Sequence, residues 1–372
     1  MRNTLPAMTY VQTAFVSLAG HVGVSIEGSN ATIGGDDKYH ANSGNILVLP
    51  PLDQYGAATR YFDVFFRGTN SCTWNAVPVQ PWVKLSQYTG SVGPNGSDTR
   101  VFVSIDWAQA QTQTVNINVT TPCRVLDRYS FREPFIQIPV DTRSVPASFS
   151  QGFVESDGHV AIEGPHYQRI VPPAAASAAA GNVTYHTFTN YGRTLGGVGL
   201  WPQKTEKLTV ATAPALEYSL YLFSNSSVLG PANVTVYLSP SHNYLGDQTP
   251  LEYGIALYPA NSASPPAPTL VRPVGPFKGQ DLPPGWAFAV ADSVWGRTGN
   301  YTTTRHAVAQ PGAYTLRIWA LMPSVIVQKV IVDLGGVRPS YLGPPESFLV
   351  GRDRKGAHNQ TSFLDGVAKA AS

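Results

Sequence analysis

The chain has 372 residues, of which 43% are apolar and 13% are charged, and its formal net charge is +2. This length and apolar content suffice for one large β-domain or two ordinary domains with buried cores. The small net charge argues against the basic surface that binds nucleic acid or anionic membranes. No apolar run reaches the ~18 residues of a membrane span, and 31 prolines interrupt the longer ones. We therefore predict a soluble protein.

Short segments rich in Val, Ile, Thr, Tyr and Phe recur along the chain between turn residues. The clearest predicted strands are residues 61–67, 100–106, 114–119 and 234–238. Sustained helical periodicity is nearly absent, so we predict an all-β protein. Because alternating apolar and polar positions are enough to bury one face of each sheet, the economical architecture is a β-sandwich. Helix is expected at most in residues 174–180 and 362–371.

The predicted strands form two tandem β-sandwich domains with a boundary near Val145. An N-terminal segment (residues 1–19) precedes the first domain (residues 20–145), and the second domain (residues 150–347) is followed by a polar tail (residues 348–372) that we predict to be disordered. Residues 158–164 resemble residues 20–28, which suggests that the two domains open with equivalent strands.

Cysteines and glycosylation triplets bear on the cellular compartment. Cys72 and Cys123 either form one disulfide or remain two buried thiols. Residues 1–6 lack the basic start and apolar core of a signal peptide, so an export signal lies on missing sequence or there is none. Asn-X-Ser/Thr triplets predict a secreted glycoprotein, with chance in a Ser/Thr-rich chain as the alternative; they occur at Asn30, Asn95, Asn118, Asn182, Asn225, Asn233, Asn300 and Asn359.

Acidic and histidine clusters do not form a convincing catalytic or metal site. Asp36 and Asp37 lie in a Gly-rich stretch, where acidic residues favour turns by bonding their own backbone. His159, Glu163 and His166 are the densest group of metal-ligand types, but a His-Glu-X-X-His zinc site needs helical spacing and this segment is a predicted strand. We therefore predict no catalytic residue, no metal and no cofactor.

Aromatic side chains in loop-like contexts are the best binding candidates. Sugar rings stack on exposed Trp and Tyr, while neighbouring polar groups bond the hydroxyls. Tyr191, Trp201, Trp286 and Trp295 follow or precede Gly and Pro residues, and we predict that they bind carbohydrate. The alternative is that these large rings belong to the core.

Several segments resemble one family. Residues 152–163, 316–319, 328–333 and 335–347 are similar to the C-terminal region of glycoside hydrolase family 115, the xylan α-1,2-glucuronidases. Residues 60–68, 81–86 and 103–107 resemble the β-domain that precedes that region. The catalytic acids of the family belong to a barrel upstream, so the resemblance implies a non-catalytic accessory region. It also implies a catalytic barrel as partner in a longer secreted protein, and dimerisation.

The second domain is also similar to galactose-binding-like jelly-roll modules, in which acidic residues near the first and last strands hold a structural calcium ion. The matching residues are Glu163 and Asp333, but Pro165 replaces a second acid, so calcium is a weak expectation.

The sequence as a whole is compatible with two functions. One is the accessory region of a xylan α-glucuronidase, and the other is a free-standing protein that binds xylan-type polysaccharide.

Overall fold

The protein is all-β, as predicted. The computed structural model describes residues 21–28, 32–33, 47–67, 70–94, 96–123, 135–175, 183–194, 196–203, 206–226, 230–243, 245–246, 248–275, 282–296 and 301–351. Within these residues the chain forms strands and one short helix, and that helix is neither long nor apolar enough to span a membrane. The chain divides into two compact units, Met1–Ser144 and Val145–Ser372.

The first unit is a sandwich of two sheets. In the part that the structure describes, one sheet has the strand order β2-β1-β5-β9-β7, and the other has the order β3-β11-β10-β6-β8 with β4 also paired to β11. The strands are β1 (His21–Ile26), β2 (Thr32–Ile33), β3 (Leu47–Val48), β4 (Leu52–Asp53), β5 (Arg60–Arg67), β6 (Cys72–Pro78), β7 (Val83–Leu85), β8 (Thr89–Val92), β9 (Thr99–Ile105), β10 (Gln113–Thr120) and β11 (Phe135–Asp141).

Period-two alternation builds the core of the first unit. Phe62 and Val64 of β5 and Val101 and Val103 of β9 are fully buried, whereas the residues between them face outward. Trp74 of β6 belongs to the same core. The predicted strands at residues 61–67, 100–106 and 114–119 are confirmed as β5, β9 and β10.

The two cysteines are joined. Cys72 lies in β6 and Cys123 follows β10, and their sulfurs form a disulfide across Cα atoms 5.9 Å apart. The bridge closes a loop with a sequence separation of 51 residues. The Thr121 hydroxyl lies 2.8 Å from the Cys72 sulfur.

The second unit is also a sandwich. Among its described residues one sheet has the order β20-β19-β22-β17-β12-β24 with β14 paired to β17, and the other has the order β15-β16-β23-β18-β21 with β13 paired to β23. The elements are β12 (Gly152–Val154), β13 (His159–Glu163), β14 (Arg169–Val171), β15 (Thr184–Thr189), β16 (Gly196–Trp201), β17 (Ala215–Leu222), β18 (Ala232–Leu238), β19 (Tyr253–Pro259), β20 (Thr269–Val271), α1 (Trp286–Asp292), β21 (Thr303–His306), β22 (Gly312–Ala320), β23 (Val327–Asp333) and β24 (Leu349–Val350).

Residues 342–350 form a strap across one edge of this second sandwich. The Ala161 and Glu163 amides of β13 donate to the side chains of Ser347 (3.0 Å) and Glu346 (2.9 Å). Farther along, β24 pairs with β12 of the other sheet. The tail predicted to begin at residue 348 is therefore wrong at its start, because Leu349 and Val350 continue the sheet.

Other sequence expectations meet different outcomes. Helix α1 was not expected, and the proposed helical residues 176–180 and 362–371 lie outside the described residues, as does the segment 1–19. The two similar segments near residues 20–28 and 158–164 both form strands. However, β1 lies between β2 and β5, whereas β13 pairs with β23. The predicted strand 234–238 is confirmed within β18.

Candidate functional site

A line of aromatic side chains, the aromatic row, lies on the outer face of β15 and β16. It consists of Trp201, His186, Phe188 and Tyr191, in that spatial order. Successive ring centroids are 5.8, 5.2 and 5.9 Å apart. Trp201 is 50% exposed and Tyr191 is 38% exposed. The structure thus brings two of the four predicted binding residues onto one surface.

Strand register explains the row. β15 and β16 are antiparallel, and Thr184, His186 and Phe188 lie opposite Trp201, Gly199 and Gly197. Because side chains alternate across a strand, all of these positions share one face. From Thr184, opposite Trp201, to Phe188 the aromatic row therefore extends ~13 Å along the sheet, given a rise of ~3.3 Å per residue.

Two glycines make room beneath the rings. A Cβ atom on Gly197 would lie 2.7 Å from Ile326 Cγ2 and 3.1 Å from Tyr191 Cδ1, and one on Gly199 would lie 3.1 Å from Ile326 Cγ1. Ile326 is half-buried under this face. The glycines therefore let Tyr191 and Ile326 lie flat against the backbone of β16.

Tyr185 anchors the strand from the opposite face. Its hydroxyl donates to the Pro214 carbonyl oxygen at 3.1 Å and accepts from the Ala320 amide at 2.9 Å. Burial raises the pKa of the Tyr185 phenol, so it stays a neutral donor. The inner face of β15 is thereby fixed to the core, and its outer face is held as a rigid platform.

The other two predicted aromatics occupy different places. Trp295 is only 1% exposed, and its indole nitrogen lies 3.3 Å from the Ser241 carbonyl oxygen. It is core, since β18 pairs with it at Leu238, so its prediction as a sugar contact is wrong. Trp286 begins α1, packs partly on the core and stacks on His242 with centroids 3.6 Å apart. It does not join the row.

The two middle members of the row, His186 and Phe188, were missed from the sequence. The signal was present in the alternation Thr184, Tyr185, His186, Thr187, Phe188. It places His186 and Phe188 on one face of the strand and Tyr185 on the opposite face. Both rings lie within β15, away from the Gly and Pro residues that mark loop aromatics.

The proposed calcium ligands are engaged elsewhere. The Glu163 carboxylate lies 3.0 Å from the Lys329 ammonium and also accepts from the Thr194 hydroxyl. The Asp333 carboxylate accepts from the Gly335 amide at 2.8 Å, which is turn chemistry. In the part of the chain that the structure describes, no three His, Cys, Asp or Glu side chains come together as a metal site.

The two histidine candidates make structural contacts. His166 Nδ1 lies 2.7 Å from the Glu346 carboxylate, and His159 Nδ1 lies 3.3 Å from the Asp157 carbonyl oxygen. Asp36 and Asp37 lie outside the described residues.

Among the glycosylation candidates, Asn118 is exposed on β10, and Asn225 and Asn233 are half-buried. The others lie outside the described residues: Asn30, Asn95, Asn182, Asn300 and Asn359.

Buried carboxylates of the second unit are neutralised by cations or amides. Glu217 is bound by Arg169 and Arg317, and Glu155 accepts from the Phe223 amide at 2.7 Å. Glu252 lies 2.7 Å from Lys207 and 2.5 Å from Arg272. Burial opposes its ionisation, but those two cations hold the pKa of its carboxyl below the ordinary value of 4.5.

Together these features define a mostly antiparallel β-sandwich that presents a row of aromatic rings on the outer face of one sheet. Residues 152–346 match the family model for the glycosyl hydrolase family 115 C-terminal domain, just over half of the chain. The chain belongs to this family, and the resemblance seen in its sequence is confirmed. No protein with a curated description matches it.

Solved structures give only distant similarity. The chain is similar to a GH26-CBM35 β-(1,4)-mannanase of Podospora anserina, with 12% identity and a TM-score of 0.26. The match covers 50% of this chain but only 29% of the mannanase chain. It is also similar to the Escherichia coli chaperone DraB, with 8% identity and a TM-score of 0.21, over 47% of this chain and 87% of that one.

Proposed function

We propose that this chain is a non-catalytic accessory region of a secreted xylan α-1,2-glucuronidase and that the aromatic row binds the polysaccharide. The row is the observation that carries the binding role. Exposed rings of Trp201 and Tyr191 offer apolar faces to the C–H faces of sugars, and an extended row contacts several successive rings of a chain. A rigid platform costs little entropy on binding.

The rigidity has two structural sources. Tyr185 fixes β15 to the core from below, and the glycines at 197 and 199 seat the rings on β16. The hydroxyl of Thr184, opposite Trp201, stands beside the ring as a group able to bond sugar hydroxyls. An apolar ring flanked by polar groups is the ordinary chemistry of a carbohydrate contact.

The state of the buried carboxylates supports a non-catalytic role. Glycoside hydrolysis needs a carboxyl group held protonated beside a second carboxylate. Glu163, Glu217 and Glu252 are instead each paired with Lys or Arg. These pairings favour structural roles, and hydrolysis is assigned to a barrel domain of a longer parent.

Affinity gel electrophoresis in glucuronoxylan tests the binding role. The full chain is expected to be retarded, and Tyr191→Ala/Trp201→Ala is expected to migrate freely. Phe288→Ala is the matched control, because this ring is 62% exposed on α1 but lies outside the row. Retardation that survives the double substitution, or no retardation of the unmodified chain, would overturn the binding role.

A separate assay tests the accessory role. The purified chain is expected to release no 4-O-methylglucuronic acid from glucuronoxylan, and release would show that it is an enzyme. Sequencing of the transcript 5′ end and the upstream DNA tests the longer parent: an in-frame barrel supports the accessory region. A true start at Met1 would instead favour the free-standing sugar-binding protein.

The disulfide between Cys72 and Cys123 supports an oxidising, extracellular location.

A further inference from the structure

A polar depression lies on the outer face of the first unit, separate from the aromatic row. Its volume is about 470 Å³, and it is lined by Ser25, Asp63, Phe65, Asp98 and Arg100. Sites for small molecules occupy roughly 300–1,000 Å³, so the depression has the size of a ligand site.

Strand register assembles the lining from three neighbouring strands. Ser25 of β1 lies opposite Asp63 of β5, which lies opposite Arg100 of β9. In the next row on the same face, Phe65 lies opposite Gly23. The tip of the Phe65 ring fills the position above Gly23, where a Cβ atom would lie 2.3 Å from the ring. The glycine is what lets the ring lie across β1.

Two polar groups of the depression, Asp63 and Arg100, hold each other in place before any ligand arrives. Arg100 Nε and Nη2 donate to the two Asp63 carboxylate oxygens at 2.8 and 3.0 Å. The guanidinium carbon lies 3.8 Å from the centroid of the Tyr61 ring. Fork-to-fork pairing and stacking fix the guanidinium plane, and its Nη1 remains as a further donor. The hydrogen bonds to Asp63 also raise the pKa of Arg100.

Apolar rings flank this polar row on both sides. Phe65 lies on one side, and Tyr61 packs edge-on against Phe102 on the other, with centroids 6.3 Å apart. Two carboxylates and one guanidinium give the lining a negative balance, which disfavours anions. Carboxylate acceptors, guanidinium donors and a hydroxyl between apolar rings match the alternating hydroxyl and C–H surface of a sugar.

We propose that this depression binds a neutral sugar residue and is a second saccharide site, independent of the aromatic row. Adjacent hydroxyls of the sugar donate to Asp63 or Asp98 and accept from Arg100, while its C–H face rests against Phe65. The site stands whether or not the row binds polysaccharide, since the two lie on different units.

Isothermal titration of xylohexaose and cellohexaose into the full chain tests the site. The background is Tyr191→Ala/Trp201→Ala, which removes the row. In that background we expect residual binding that Asp98→Asn/Arg100→Gln weakens by about tenfold, the effect of losing one or two hydrogen bonds. This pair of changes conserves net charge. Lys84→Gln on β7 of the same sheet is the matched control and is expected to change nothing.

Each other outcome overturns the proposal. It fails if the background variant binds neither hexasaccharide, or if Asp98→Asn alone and the paired change leave binding unaltered. Heat from calcium chloride that Asp98→Asn abolishes, without heat from either sugar, would identify a cation site instead. Thermal unfolding of each variant checks that it is folded; little loss of stability is expected, because the Asp63–Arg100 pair is largely exposed.

Discussion

Lys329 places its ammonium 3.0 Å from the Glu163 carboxylate, and both side chains are almost inaccessible, at 3% and 1% exposure. The lysine also donates to the Pro344 carbonyl oxygen at 2.9 Å, so it ties β13, β23 and the strap together. A cation is therefore already present beside Glu163 as part of the chain.

Lys329→Met should destabilise the second unit strongly. The substitution leaves Glu163 buried without its counter-ion, which costs about 3–5 kcal/mol. Urea unfolding measures the loss, with Lys84→Met on the surface of the first unit as control. A loss below about 1 kcal/mol would show that the pair is not the anchor of this edge.

Gly197→Ala should weaken polysaccharide binding more than it weakens the fold. The new Cβ would lie 2.7 Å from Ile326 and 3.1 Å from Tyr191, so both side chains must shift and the row is disturbed. Strain of this kind costs about 1–3 kcal/mol. Gly275→Ala is the control, since no described atom lies within 4 Å of its Cβ position. Equal retardation of the two variants in a xylan gel would contradict the assigned role of Gly197.

Trp295→Ala and Trp201→Ala should separate core from surface. Trp295 fills the core, so its truncation is expected to cost about 3–5 kcal/mol, whereas Trp201 is half exposed and its loss should leave stability nearly unchanged. Thermal unfolding and the xylan gel together check this pair. The expectation is wrong if Trp201→Ala is the less stable protein.

Stability of the second unit should depend on the charge of Glu252 in acid. Its pKa is lowered in the folded state, so its contribution is present above pH 4.5 and is lost as the pH falls below that value. Compared with Glu252→Gln, the native chain should be more stable at about pH 7, and the gap should close towards about pH 3. Glu206→Gln, on an exposed side chain, serves as control. A gap that is constant across this range would refute the assignment.

Reduction of the Cys72–Cys123 disulfide should destabilise the first unit by about 2–4 kcal/mol, because the bridge closes a long loop in the unfolded chain. Chemical denaturation with and without reductant measures the change. Cys72→Ala/Cys123→Ala should be insensitive to reductant. If reductant destabilises both proteins equally, the loss of stability does not come from this disulfide.

Period-two patterns predicted β5, β9, β10 and β18 well, because one buried face leaves a direct trace in the sequence. Helix α1 left no such trace. Its sequence, Trp-Ala-Phe-Ala-Val-Ala-Asp, is apolar up to its last residue and too short for a helical period to show. The sequence at 286–292 is equally compatible with a strand.

The site was only half predictable for a related reason. Tyr191 precedes Gly192 and Trp201 precedes Pro202, which marks both as loop-like in the sequence, whereas His186 and Phe188 are ordinary strand residues until the register with β16 is known. Trp295 also stands beside a turn residue, Gly296, and only the fold, which leaves it 1% exposed, shows that it lies inside. Neighbouring residues in the chain do not encode these long-range pairings.

The strap has a consequence for how this protein is handled. Ser347 and Glu346 occupy the amides along the free side of β13, and β24 occupies the side of β12. A chain cut before residue 342 would expose both strand borders as templates for pairing with other molecules. Such a truncation would favour intermolecular β-aggregation, so recombinant versions should extend past Val350.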